Sequence, residues 1–117
     1  MQEDGKSAMA TRFIYVTAAN ADEARTIGDA LVGERLVACV NILAPMSSIY
    51  WWQGQVQHET EAVLIAKTTD AMVERVVARV KALHSYTVPC VVSLAIEAGN
   101  PDFLRWIADE TRPGARA

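Results

Sequence analysis

Ser48-Ile49-Tyr50-Trp51-Trp52-Gln53-Gly54-Gln55-Val56 sets three large aromatic residues side by side, directly before a Gln-Gly pair, in a chain that is only 7% aromatic. Glycine accepts the positive φ that a two-residue turn demands, so residues 53–54 read as the tip of a hairpin with strands over 37–52 and 55–69. Side chains alternate along a strand, which sends Tyr50 and Trp52 to one face and Trp51 to the other. Large apolar groups on both faces require cover on both. About 15 residues at ~3.3 Å each make an arm of ~50 Å, whereas a compact domain of this length has a diameter of roughly 35 Å. The arm therefore bends or projects beyond its own body. Pro45 cannot donate a ladder hydrogen bond, which predicts a bulge or bend there, dividing the arm into a body half and a tip half that carries the aromatic triplet.

Working outward, residues 12–18 (RFIYVTA) are short and rich in β-branched and aromatic side chains, the pattern of a buried strand. Asn20 and Glu23 have the spacing of a capping box. Behind them Ala24, Ile27, Gly28, Leu31 and Val32 recur at helical spacing, predicting a helix over 21–35. After the hairpin, residues 70–83 (DAMVERVVARVKAL) put Val73, Val76, Val77, Val80 and Leu83 on one face of a second helix. Residues 90–98 (CVVSLAIEA) form a near-continuous apolar strand. Gly99-Asn100-Pro101 combines a stop, an N-cap and a proline at the first helical position, opening a third helix marked by Phe103, Leu104 and Ile107. This order, βαββαβ plus a C-terminal helix, is that of an α+β ferredoxin-like sandwich: a four-stranded antiparallel sheet with strands one and three central. The third strand carries Ala62-Val63-Leu64-Ile65-Ala66, apolar on both sides, so its second face is expected to meet another copy of the chain in a closed dimer or trimer. The single domain is expected over 12–112, between a flexible leader (1–11) and a frayed tail (113–117).

The totals exclude several classes. With 117 residues, 51% hydrophobic and 21% charged, the chain reads as one folded domain. A net charge of −3 and no basic stripe argue against nucleic acid. The longest apolar runs, 62–66 and 91–96, are far too short to cross a bilayer, so no membrane partner is expected. The first eleven residues lack the apolar core of a secretion signal. Cys39 and Cys90 have neither CxxC spacing nor the number of a disulfide framework. They read as reduced thiols in the cytoplasm. No glycine-rich phosphate loop, His-Glu-x-x-His or nucleophile elbow is present, and Ser47, Ser48 and Ser93 have no evident base, so a binding protein is expected rather than an enzyme.

Ala38-Cys39-Val40-Asn41-Ile42, Ser48-Ile49-Tyr50-Trp51-Trp52-Gln53-Gly54, Lys67-Thr68, Leu83-His84-Ser85-Tyr86-Thr87-Val88-Pro89 and Gly99-Asn100 with Phe103-Leu104-Arg105-Trp106 closely resemble the CutA divalent-cation tolerance proteins. The resemblance covers nearly everything from Arg12 to Glu110. It implies a ferredoxin-like subunit, a tight homotrimer and a link to copper and other divalent metals. Two departures stand out: Ser85 where the family pattern has proline, and Cys90 where it has glutamate. On this footing Cys39, His84 and Glu61 are the candidate metal ligands, Cys39 as a soft donor for copper. Trp52, Lys67 and Tyr86 are candidates to line a small-molecule cleft between subunits, and Tyr50 and Trp52 to hold the assembly together. Plainer readings stand beside each: Cys39 as a buried small hydrophobe, His84 as a helix C-cap, Glu61 and Lys67 as a buried ion pair, and Cys90 as core filler. His58 and Glu59, though adjacent, fall on opposite faces of the hairpin.

Overall fold

The computed structural model describes residues 10–111. The expected tail and most of the expected leader lie outside them, but Thr11, assigned to the leader, is buried and opens the first strand. The elements are β1 (Thr11–Ala18), α1 (Ala21–Gly33), β2 (Cys39–Trp52), β3 (Gln55–Thr69), a short 3-10 turn (Asp70–Met72) leading into α2 (Val73–Leu83), β4 (Val91–Ala95) and α3 (Pro101–Glu110). They form one antiparallel sheet in the order β2-β3-β1-β4, the ferredoxin-like arrangement with strands one and three central.

Side-chain alternation explains the core. Ile14, Val16 and Ala18 of β1 and Ala62, Leu64 and Ala66 of β3 are fully buried, joined by Ala24, Ile27 and Leu31 of α1 and Val76 and Val80 of α2. The predicted cap forms at α1 with a shifted return bond: Asn20 Oδ1 accepts from the Glu23 N–H, and Glu23 Oε1 accepts from the N–H of Ala19, one residue before the cap, both at 2.8 Å. Asn20 thus satisfies a donor that the helix itself cannot. At its other end α1 stops before the expected residue 35. Arg35 takes a left-handed φ of 60°, and the Arg35 and Leu36 N–H groups turn back to the Val32 and Leu31 carbonyls. β4 is also shorter than the apolar run 90–98 predicts. Among the described residues it pairs with β1 alone, and their paired register ends with Arg12 opposite Ala95.

The β2-β3 arm bends where Pro45 predicts. The register shifts between Leu43 and Met46, around a cis Ala44–Pro45 bond, and then continues to Trp52 opposite Gln55. Gln53 and Gly54 both have positive φ at the tip. The arm gives the chain its principal extents of 51 × 28 × 22 Å. The expected exposure of the central strand needs correction. Val63 is buried within the chain and Ile65 half-buried, since both lie between cross-strand neighbours. On the body of the sheet the edge strands carry exposed apolar groups, with Leu43 of β2 58% exposed and Val92 and Leu94 of β4 49% and 51% exposed.

Candidate functional site

Tyr86 organises a cavity between the arm and the sheet, and the residues that hold it follow from the end of α2. Helix α2 stops at His84, whose backbone turns extended (φ −81°, ψ 146°). The His84 side chain is fully buried. Its Nε2 lies 2.6 Å from the Thr17 carbonyl oxygen, and its Nδ1 accepts from the Tyr86 N–H at 3.1 Å. A carbonyl only accepts and an amide N–H only donates, so the ring carries its proton on Nε2 and is the neutral tautomer. Instead of capping the helix through its carbonyls, as the sequence suggested, His84 ties the loop after α2 to β1. The Tyr86 ring tilts against it with centroids 4.6 Å apart.

The same loop is pinned by Glu23. One carboxylate oxygen completes the capping box, and the other accepts from the Ser85 N–H at 2.8 Å. Burial pushes the Glu23 carboxyl up, but its hydrogen bonds from Ala19 and Ser85 hold it below its ordinary value. The Ser85 departure thus has a structural meaning: a proline at this position has no N–H to give.

Held this way, the Tyr86 hydroxyl donates to Glu61 Oε2 at 2.5 Å. Burial first, and then the Glu61 hydrogen bond and charge, raise the phenol well above its ordinary value, so it keeps its proton. Glu61 is only 7% exposed. Around the pair opens a cavity of about 650 Å³ whose walls include Tyr15, Met46, Tyr50, Trp52 and Cys90. The arm supplies one wall because Met46, Tyr50 and Trp52 share a face with Glu61 in the register after the bend. Tyr15 adds its hydroxyl to the Met46 sulfur at 3.7 Å. The Tyr50 phenol is raised by burial and by the charges of Glu59 and Glu61.

The structure therefore brings together Glu61, Tyr86, Trp52 and Tyr50, with His84 as a buried support. It leaves Cys39 and Lys67 elsewhere. These two are cross-strand partners at the body end of the arm. Six residues separate Lys67 from Glu61 along β3, a span of ~20 Å. Lys67 Nζ donates to Asn41 Oδ1, so the Glu61–Lys67 ion pair does not form within the chain. His58 faces the Trp51 side and Glu59 the Tyr50 side, as alternation requires. Among the described residues no three His, Cys, Asp or Glu side chains converge to hold a metal, and both His84 ring nitrogens are already engaged. The described donors of one chain do not fit a metal ion. Tyr15, Met46, Glu23 and Cys90 were not singled out for the site by sequence reasoning. Cys90 in particular is half-buried and lines the cavity rather than filling the core. The signal for Tyr15 was its odd position in β1, opposite the residues that build the core.

Comparison with known proteins agrees with this fold. The family profile described as CutA1 divalent ion tolerance protein matches residues 12–110. The chain is 47% identical over 98 residues to the divalent-cation tolerance protein CutA of Thermus thermophilus, covering 84% of this chain and 95% of that one. It is 39% identical to the chloroplastic protein CutA 1 of Oryza sativa subsp. japonica, covering 85% of this chain but spanning only 56% of the rice protein's length. The crystal structure of CutA1 from Oryza sativa superposes with a TM-score of 0.86 at 37% identity, covering 90% of this chain and 96% of that one. With fold, motifs and chain-long similarity in agreement, this protein belongs to the CutA1 divalent ion tolerance family.

Proposed function

We propose that this chain acts in divalent-cation tolerance as a non-catalytic homotrimer that binds copper or another divalent ion weakly. The observation that carries the proposal is the match, along nearly the whole domain, to relatives named for divalent-cation tolerance. The trimer is supported by the projecting arm and by the exposed edge residues Leu43, Val92 and Leu94. Because the described residues of one chain gather no three donors, metal contact in this reading combines groups from more than one subunit, with Cys39 as the soft donor. The free thiols support a reducing compartment, the cytoplasm. Isothermal titration of reduced wild type and Cys39→Ser with Cu(I) and Cu(II) tests the reading. A weaker isotherm for the variant is expected, and identical isotherms remove Cys39 from the site.

A second reading rests on the cavity itself: a signalling or scaffolding trimer that holds a small organic molecule against Glu61, Trp52 and Tyr86. Its volume falls in the range of small-molecule sites, and its walls mix aromatic faces with a few polar groups. A thermal-shift screen run in chelator separates the readings, since an organic ligand that stabilises the protein without metal favours the second.

A further inference from the structure

Glu61 presents an imbalance. Its carboxylate is more than nine-tenths buried, lines the cavity and has one hydrogen-bond partner, the neutral Tyr86 hydroxyl, and no cationic partner among the described residues. A buried charge without a counter-charge is costly. Several described cations are engaged elsewhere: Lys67 with Asn41, Arg12 with Asp70, Arg35 with Glu110 and Arg79 with Glu34. No lysine or arginine occurs between Ser48 and Ala66. Glu59, on the same face as Glu61, makes the field at this wall more negative. Four aromatic residues, Tyr15, Tyr50, Trp52 and Tyr86, line the cavity together with the carboxylate.

We propose that this cavity is a site for a small organic monocation, an alkylated ammonium whose charge faces Glu61 and whose alkyl groups rest on the aromatic walls. The proposal rests on the second reading above and gives it a ligand class. Aromatic faces attract cations through their quadrupoles, most strongly when water is excluded. A single carboxylate whose neighbour is a protonated phenol suits one diffuse positive charge. Hard divalent ions favour several carboxylate or carbonyl oxygens, and Glu61 is the one carboxylate among the lining residues.

The experiment follows tryptophan fluorescence and thermal stability of the full chain, in EDTA, during titration with choline and with its neutral isostere 3,3-dimethyl-1-butanol. Choline is expected to saturate, with the neutral isostere about tenfold weaker or worse, as a desolvated cation–π and charge contact implies. Glu61→Gln is expected to abolish the preference for choline. Tyr50→Leu, which leaves the Glu61–Tyr86 pair in place, is expected to weaken choline more than the isostere. Equal binding of both probes, or an unchanged preference in a folded Glu61→Gln variant, overturns the monocation assignment while leaving an organic-ligand cavity standing. If neither probe binds, the monocation assignment falls. If, in addition, no neutral or anionic small molecule binds, the second reading falls with it. Should Glu61→Gln instead dissociate the oligomer without any choline effect, the counter-charge is a basic side chain of a second copy, and the proposal is likewise overturned.

Discussion

Glu23 joins two pieces of chain 62 residues apart through one carboxylate, accepting from Ala19 and from Ser85. Because the carboxyl is held below the ordinary 4.5, folding favours its ionised form. The resulting stability is fully present above that value and is lost as pH falls through the lower folded-state value. Urea denaturation at pH 7 and at about pH 4 is therefore expected to show a smaller pH difference in Glu23→Gln than in wild type, with a cost near neutrality of ~1–2 kcal/mol. Ser85→Pro tests the same contact from the other side. The extended His84 backbone already suits a residue before proline. The variant thus loses one hydrogen bond to a charged group, worth roughly 1.5–3 kcal/mol, and recovers ~0.4–1 kcal/mol from a stiffer unfolded chain. A net destabilisation of about 1 kcal/mol by thermal or chemical denaturation is expected. A more stable variant would show that the Glu23 contact is weak. Neither partner of Glu23 across the loop was legible in sequence, because a backbone N–H carries no residue-specific signal.

At the scale of elements, α1 approaches the sheet more closely than its apolar stripe alone requires. A Cβ added at Gly28 would lie 3.0 Å from Val40 Cγ2 and 3.4 Å from Leu64 Cδ1. Gly28→Ala gains ~1 kcal/mol of helix propensity but presses on the Val40 side chain, at roughly 1–3 kcal/mol. The balance is expected to be a loss of up to ~2 kcal/mol, measurable as a lower urea midpoint with unchanged slope. The periodic segments were the most legible: β3 and the capped start of α1 appear where their patterns put them. Boundaries set by neighbours were not. β4 is limited to the five residues paired with Arg12 to Val16 of β1, and the chain leaves α1 through a left-handed arginine, a residue type with no preference for that conformation. The bend of the arm was legible because proline removes a donor wherever it stands.

At the scale of the whole molecule, the arm leaves Trp52 at 44% and Trp51 at 73% exposure on opposite faces. In the proposed trimer the Tyr50–Trp52 face continues the sheet surface that holds Glu61, so Trp52→Ala is expected to weaken assembly by ~2 kcal/mol or more, the cost of removing a central aromatic anchor. Analytical ultracentrifugation across a dilution series checks this, and an undiminished trimer at low concentration removes Trp52 from the interface. Trp51→Ala is expected to have a smaller effect. Alternation, turn chemistry and capping act between residues close in the chain, so the sequence alone determined the element order, the ferredoxin-like class, the bend at Pro45 and the opposite facing of Trp51 and Trp52. Which polar groups meet was decided only by the tertiary structure. The packing of the loop after α2 against β1 sets the His84 tautomer and delivers Tyr86 to Glu61, and the register of β2 on β3 keeps Cys39 and Lys67 at the far end of the arm. Those contacts depend on distances between segments far apart in the chain, to which local periodicity is blind.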